Sequence, residues 1–171
     1  MTEARSCGSC TMCCKVMSID ELGKPQGVWC SHCRPGRGCG IYGSHPPTCQ
    51  GFMCGWLSNP DFPEEARPDR SKVVLEIDSG GNRIIARCDP GHPFAWQRQP
   101  IYGQLKIWAK RGWDSGQTVV AMTNRRLWLI TPDADVDAGE IGPYSPFAID
   151  EHSDGSIRIR VLPAIVRPTG Y

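Results

Sequence analysis

The sequence lacks the features that take a chain into a membrane or onto a polyanion. No apolar run approaches the about 18 residues of a membrane span, and the first residues hold no apolar segment typical of a secretion signal. Lysine and arginine number 19 against 18 aspartates and glutamates, a formal net charge of +1. Because binding to nucleic acid or anionic lipid needs an excess of positive charge, we expect a cytoplasmic protein with neither of these partners.

The first third of the chain also lacks the periodic apolar pattern from which a core is built. Glycines interrupt it throughout, and its short apolar pieces stand beside cysteines instead of forming one face. A segment with so little apolar area needs covalent or coordinate links to fold. What it does have is thiols, since nine of the ten cysteines fall within residues 1–54: Cys7, Cys10, Cys13, Cys14, Cys30, Cys33, Cys39, Cys49 and Cys54.

Cysteine thiols at this density have three possible uses: disulfides, a redox-active pair and metal ligation. A reducing cytoplasm opposes disulfides, and no βαβ pattern surrounds either Cys-x-x-Cys pair, as a redox site would require. The two-residue spacer of Cys7-x-x-Cys10 and Cys30-x-x-Cys33 lets one turn present two sulfurs to a common centre. The spacing therefore predicts a metal site, and all nine cysteines are its candidate ligands.

The number and identity of the metal centres stay open at the level of sequence. Nine thiols exceed the four that one zinc ion or one four-iron cluster needs, so two centres or one polynuclear centre are the simple solutions. Because adjacent side chains such as Cys13 and Cys14 diverge, we expect one to ligate while the other bridges, serves a second centre or packs as a buried free thiol. Zinc and iron, the latter in an iron–sulfur cluster, both suit this spacing, and His32 or His45 offers a substitute for one thiolate.

Two motifs, taken together, resemble a known family. They are Cys7-x-x-Cys10-x-x-Cys13-Cys14 and the segment 39–52, which contains Cys39-Gly40-Ile41-Tyr42 and Cys49-Gln50-Gly51-Phe52. This combination, over about residues 7–57, is similar to the CxxCxxCC cysteine-cluster family (YkgJ type), described as a zinc- or iron-chelating domain. The sequence departs from the family pattern where an Arg-Pro pair is usual, since His45-Pro46-Pro47 stands here.

The resemblance implies a metal-binding protein with an accessory or metal-handling role. The alternative is an iron–sulfur enzyme or electron carrier, because flagellin lysine methylases carry a similar cluster in much longer chains. No S-adenosylmethionine loop, phosphate loop or catalytic Ser-His-Asp or Cys-His arrangement can be identified in the sequence. An enzyme assignment therefore depends on analogy alone, and no role is transferred to Cys88.

The remaining residues have the patterns of an antiparallel sheet with one helix. Apolar Ile101, Leu105 and Trp108 recur with helical spacing between Pro100 and Gly112. Cys88 ends a predicted strand, where a buried structural thiol is expected. Three strand–turn–strand patterns surround turn residues; they are residues 72–78 with 82–88 around Ser79-Gly80-Gly81, residues 117–122 with 125–130, and residues 147–150 with 156–161.

One acidic stretch resembles a calcium-binding loop in part, but it lacks a residue that such a loop needs. Asp133-x-Asp135-x-Asp137 has Ala138 at the sixth position, where a calcium loop needs glycine. We expect instead an acidic loop that faces five basic residues, namely Lys106, Lys110, Arg111, Arg125 and Arg126. With tryptophans interleaved, these cations also have the composition of a nucleic-acid patch, which the neutral net charge disfavours.

These patterns predict a small α+β protein in two parts. Residues 1–58 form a loop-rich, cysteine-ligated metal domain, and residues 72–171 form a mainly antiparallel β-sheet with one helix. The stretch between them, residues 59–71, is rich in proline and charge and is predicted to be a linker. The linker joins the two parts, and one option is that the sheet packs on the cysteine cluster so that both parts form one unit.

Overall fold

A computed structural model of the protein describes residues 5–78, 80–142 and 145–163. Its centre is a five-stranded sheet in the order β3-β4-β5-β6-β7. The strands are β3 (Val73–Ile77), β4 (Arg83–Cys88), β5 (Thr118–Thr123), β6 (Arg126–Ile130) and β7 (Asp135–Glu140). The predicted α+β fold is confirmed. The hairpins β3–β4 and β5–β6 are antiparallel as predicted, although Ser79 of the first turn lies outside the described residues.

The sheet is mixed because β4 and β5 pair in parallel. Between them runs α5 (Ile101–Gly112), the helix predicted from its apolar spacing. A parallel connection needs such a crossover, and α5 carries the chain back so that β5 runs beside β4 in the same direction. Ile101 and Leu105 are buried against the sheet, each burial being worth about 1.5–3 kcal/mol. Trp108 is only partly buried and meets the Phe62 ring edge-on at 5.7 Å.

The opposite face of the sheet is covered by the third predicted hairpin. Its strands β8 (Phe147–Glu151) and β9 (Ile157–Val161) pair antiparallel as a separate two-stranded sheet. Ile149, Ile157 and Ile159 pack against a fully buried layer in which Val120 and Leu129 lie. The central strands are therefore covered on both faces by residues that follow the cysteine-rich third of the chain.

The cysteine-rich third consists of short elements tied to one edge of this sheet. They are α1 (Cys13–Val16), β1 (Cys33–Arg34), β2 (Gly38–Cys39), α2 (Pro47–Gly51) and α3 (Gly55–Ser58). Met12, Val16 and Trp56 join the same hydrophobic cluster as the β3 residues Val74 and Leu75. The guanidinium of Arg5 donates to the carbonyls of residues 56, 59, 60 and 62. The first third therefore shares a core with the sheet.

The stretch predicted to be a linker contains regular structure. A 3-10 turn occupies Glu64–Ala66, and α4 (Pro68–Ser71) begins with proline in its first turn, where the missing N–H costs nothing. Phe62 and Ala66 are buried in the common core. The prolines begin helical turns here, so residues 59–71 are a packed connection and the prediction of an irregular linker is corrected.

The acidic stretch is a strand and not the loop that the sequence predicts. Residues 135–140 form β7, which pairs with β6 through a bulge at Leu127/Trp128. Lys106 Nζ lies 2.8 Å from Asp135 Oδ1, and Arg126 pairs with Asp137. Two of the five expected basic partners are thus present, and this ion pairing offsets the low strand propensity of aspartate.

A buried ion pair links the cysteine-rich third to the end of β4. Lys15 Nζ in α1 donates to Asp89 Oδ1 at 2.6 Å, and the Asp89 side chain is 7% exposed. Burial raises the pKa of this carboxyl, but the Lys15 ammonium and the Gly91 N–H lower it further, so the net pKa lies below the ordinary value. A depressed carboxyl pKa stabilises the fold above the unfolded value of about 3.9.

Asp89→Asn should therefore lower the free energy of unfolding by about 1–3 kcal/mol at pH 7. The difference from the native chain should shrink as the pH falls through the folded-state pKa, because the native carboxyl is then protonated as well. Urea unfolding between pH 7 and pH 3 measures both effects. Exposed Asp61→Asn is the matched control and should change stability by no more than about 0.5 kcal/mol; equal losses in the two variants would contradict the prediction.

Candidate metal centre

The first three cysteines are placed by consecutive tight turns. The N–H of Cys10 donates to the Cys7 carbonyl at 2.8 Å, and Gly8 between them has a φ of +50° that glycine adopts without strain. Cys13 then begins α1, in which the N–H of Cys14 donates to the Thr11 carbonyl. The CxxCxxCC spacing therefore places four thiols along one short, turning segment.

The second cysteine pair sits at the base of a small β-ribbon. The N–H of Cys33 donates to the Cys30 carbonyl at 3.0 Å, and Cys33 is paired directly with Cys39 across β1 and β2. Directly paired residues carry their side chains on the same face of a ladder. The N–H of Cys30 donates to the Cys14 carbonyl, so this ribbon is joined to the end of the first cysteine run.

The last two cysteines of the cluster are held by α2 and α3. Cys49 lies within α2, and Cys54 directly precedes α3 and is 7% exposed. Helix α3 lies close to β3, because a Cβ on Gly55 would meet Leu75 Cβ at 2.9 Å. Only glycine fits this approach, which fixes Cys54 against the edge of the sheet.

All nine cysteines line two adjoining cavities, whose volumes are about 20 Å³ and about 170 Å³. Cys10 and Cys54 line the small cavity only, and Cys7 and Cys13 line both. Phe52 also lines both. The cysteines that line the large cavity only are Cys14, Cys30, Cys33, Cys39 and Cys49.

The sulfurs are close enough to influence one another. Hydrogen bonding with Cys13, followed by burial, raises the pKa of the Cys14 thiol far above its ordinary value. Burial and the neighbouring Cys14 raise the pKa of Cys33 to about 11. Burial and then Cys54 raise the pKa of Cys7. At neutral pH these thiols therefore hold their protons, and only a bound cation would make several thiolates stable side by side.

Each cavity has a nearby cation. The Lys24 side chain is buried, donates to the carbonyls of Lys15 and Met17, and interacts electrostatically with four sulfurs, those of Cys13, Cys14, Cys30 and Cys49. On the other side, Arg67 donates to the Cys7 carbonyl at 3.1 Å. Burial raises the pKa of Cys7 and Cys10, and the charge of Arg67 partly opposes that rise. A single lysine or arginine carries no spacing signal, so the sequence does not distinguish these two cations from the other basic residues.

The two candidate histidines lie beside the large cavity. His45 Nδ1 accepts a hydrogen bond from the Gly43 N–H at 3.0 Å, and its ring stacks on Tyr42. An acceptor Nδ1 places the proton of the neutral ring on Nε2, so His45 offers no free lone pair to an ion in this arrangement. His32 is exposed on the cavity wall.

The tenth cysteine is apart from the others. Cys88 ends β4, is 3% exposed and lines a different cavity, beside Val16 and Met122. Burial raises the pKa of its thiol to about 12. The prediction of a buried thiol at the end of a strand is confirmed, and Cys88 supplies a matched control for every cysteine substitution below.

The cysteines line the same two cavities, but their side chains are not arranged as the ligands of one metal ion. Within residues 5–78, 80–142 and 145–163, no group of three or more His, Cys, Asp or Glu side chains is arranged so that it could hold a metal ion. The donor set nevertheless suits a thiophilic metal, since it consists of sulfur with histidine nearby. A side-chain rearrangement within the cavities is therefore needed before an ion is held.

No helix in the described parts of the chain is long and apolar enough to cross a membrane.

Comparison with known proteins identifies no protein with a corresponding site. The resemblance to the CxxCxxCC cysteine-cluster family stays a prediction that depends on the motifs. Searches of protein-family models, of curated proteins and of solved structures find no match to this chain.

Proposed function

We propose that this protein chelates zinc or iron through the cysteines of its first third, in an accessory or metal-handling role. The observation that supports this most strongly is the convergence of nine cysteines from four chain segments on two adjoining cavities, with the tenth cysteine elsewhere. A disulfide framework would pair such thiols, whereas the described cysteines are free. Their grouping, not only their number, favours metal ligation.

The chemistry of the cavity walls narrows the metal class. None of the described residues that line the two cavities carries a carboxylate. Thiolates select zinc, iron–sulfur clusters and other thiophilic ions, whereas magnesium and calcium require oxygen donors. Binding replaces thiol protons by the ion, and it requires the cysteine side chains to turn toward a common point. The backbone turns that hold Cys7 and Cys10, and Cys30 and Cys33, already bring each pair together.

An iron–sulfur electron carrier or enzyme with an unassigned substrate is the second candidate function. One observation favours it: Cys7, Cys10, Cys13 and Cys54 surround a small cavity whose other walls are apolar. Four thiols are the number of ligands that a four-iron cluster takes, and the cavity of about 20 Å³ would have to widen to hold one. The two functions share the same ligands and differ in the metal that the ligands hold.

Anaerobic purification of the full chain, followed by elemental analysis and an acid-labile sulfide assay, tests this proposal. We expect bound zinc or iron, with content reduced in Cys10→Ser and in Cys33→Ser and unchanged in Cys88→Ser. Zinc without sulfide supports chelation and opposes the electron carrier, whereas iron with sulfide and a brown colour favours the second candidate. Metal-free protein whose thiols are paired with one another in intact mass spectra would overturn the proposal.

A further inference from the structure

We propose, building on the metal-binding function above, that Cys33 and Cys39 are a redox-sensitive pair, which peroxide converts into a disulfide across the β1–β2 ribbon. The disulfide takes two sulfurs from the wall of the large cavity, so oxidation releases metal that is held there. Ligation of an ion and pairing with each other are then alternative states of the same two residues. The pairing depends on the ladder geometry, and only the metal release depends on the proposed function.

The ladder between β1 and β2 fixes the spacing of the two residues. Cys33 is paired directly with Cys39, and the N–H of Gly40 donates to the His32 carbonyl at 2.8 Å. In an antiparallel ladder, a hydrogen bond between the residues just outside a pair identifies the pair itself as non-hydrogen-bonded. Cys33 and Cys39 are therefore a non-hydrogen-bonded pair, in which the Cα atoms lie about 4.5 Å apart and the side chains share one face.

This spacing suits a disulfide bond. Residues joined by a disulfide have Cα atoms about 4.4–6.8 Å apart, so the bond between Cys33 and Cys39 needs rotation of the side chains but no separation or shift of the strands. The turn that closes the ribbon is also held from outside, because the N–H of Gly36 donates to Thr11 Oγ1 at 3.2 Å. The backbone thus presents the two sulfurs to each other in the reduced chain.

A small oxidant can reach this pair. Cys33 and Cys39 are each only partly buried, and the residues between them at the tip of the ribbon, 34–37, are exposed. Cys30 and Cys88 are buried, at 8% and 3% exposure, and Cys88 is paired in its ladder with a valine. Because cysteine oxidation follows exposure, we expect the cross-strand pair to react before either of these two thiols.

The reaction with hydrogen peroxide balances without any further reactant. One thiol takes an oxygen atom from the peroxide, which gives a sulfenic acid and a water molecule. The second thiol attacks that sulfur, so that the S–S bond forms, the S–O bond breaks and a second water molecule leaves. The sulfurs are oxidised and the peroxide is reduced to water. Where the sulfurs are thiolates that hold an ion, two protons come from solvent, and the ion loses both ligands because only thiolates ligate.

Two other cysteines compete for Cys33. The Cys14 thiol hydrogen bonds with that of Cys33, and a tight turn joins Cys30 to Cys33, whose N–H donates to the Cys30 carbonyl. The ladder places Cys39, and neither of these two, opposite Cys33. We therefore assign Cys39 as the partner, and the position of the bond in the oxidised chain decides between the three.

Oxidation of the full chain, isolated anaerobically, tests the pair. The chain is treated with equimolar hydrogen peroxide, and samples taken at intervals are alkylated, digested and mapped by tandem mass spectrometry. Metal left on the protein is measured by elemental analysis after gel filtration. We expect the number of free thiols to fall by two from ten, through a bond between Cys33 and Cys39, with metal lost in proportion to that bond. Dithiothreitol should restore both thiols. Cys33→Ser and Cys39→Ser should each lose the bond, and Cys88→Ser should keep it.

The outcomes separate this inference from the function on which it builds. Absence of metal from the isolated native chain overturns the metal-binding function, and the peptide map of the same chain still decides whether the pair exists. A bond from Cys33 to Cys14 or Cys30, or no bond at all, overturns the pair and leaves the function intact. A Cys33–Cys39 bond that forms while the metal stays bound overturns the release of metal by oxidation. Because the map is made on the native chain, misfolding of a serine variant does not affect these conclusions.

Discussion

If the protein binds metal as proposed, removing that metal should unfold residues 7–57 and leave the central strands of the sheet folded. The first third contributes few buried apolar side chains, of which Val16 and Trp56 are the clearest. Metal ligation supplies about 10–16 kcal/mol to folding in zinc-finger peptides, which matches or exceeds the total stability of about 5–15 kcal/mol of a typical domain. We therefore expect the proposed ion to contribute more than these buried side chains to holding the turns around Cys10 and Cys33.

The sheet should survive because its covering layers come from elsewhere in the chain. Helix α5 covers one face, and the β8–β9 hairpin covers the other. Strand β3 loses the packing of α3, and the end of β4 loses the ion pair between Asp89 and Lys15. We therefore expect native-like strand signal in the far-ultraviolet circular dichroism spectrum, with β3 less protected than β4, β5 and β6.

Hydrogen exchange followed by mass spectrometry measures this directly. Amides in residues 7–57 should lose protection by about 100-fold or more on chelation under reducing, anaerobic conditions, and Cys10→Ser should reproduce the loss. Cys88→Ser, which removes a buried thiol outside both cavities, should leave protection in this segment unchanged. Unaltered exchange throughout residues 7–57 after complete metal removal would falsify the idea that the ion holds this segment together.

Local patterns explain which parts of the fold could be predicted. Each of the three hairpins has its turn residues between two apolar runs, and α5 has its own proline before it and apolar stripe within it, so the information lies within a short stretch. Strand β7 was missed because its acidic residues oppose strand formation in isolation. Its stability comes from pairing with β6 and from Lys106 and Arg126, which are distant in sequence.

The candidate site shows the same limit. Cysteine spacing alone predicts that nine thiols serve metal, because each Cys-x-x-Cys turn is local. The grouping of Cys54 with Cys7 and Cys10 depends on how α3 packs on β3 around Gly55, and no spacing rule reports that contact. The sequence does not predict the parallel pairing of β4 with β5 either. Hairpin signals are local and indicate only the antiparallel pairs β3–β4 and β5–β6, whereas the β4–β5 pair joins two hairpins that are distant in sequence.

Replacing Lys24 should weaken the proposed metal binding by the cysteines of the large cavity. Its ammonium is buried beside the sulfurs of Cys14, Cys30 and Cys49 and is held there by the carbonyls of Lys15 and Met17. Lys24→Met keeps the apolar stem and removes the charge. Because outer partners of metal ligands contribute about 10–100-fold to affinity, we expect a loss of that size in competition titrations against a chelator of known affinity.

Two further variants distinguish the charge of Lys24 from its hydrogen bonds. Lys24→Arg keeps the charge and should recover most of the affinity, whereas Lys24→Gln keeps a donor without charge and should resemble Lys24→Met. Arg67→Met is the corresponding change beside the small cavity and should weaken the proposed metal binding by Cys7 and Cys10, since the charge of Arg67 acts on both thiols. If Lys24→Met left the metal affinity unchanged, or if Lys24→Gln restored it, the charge of Lys24 would not contribute to metal binding and the prediction would be wrong.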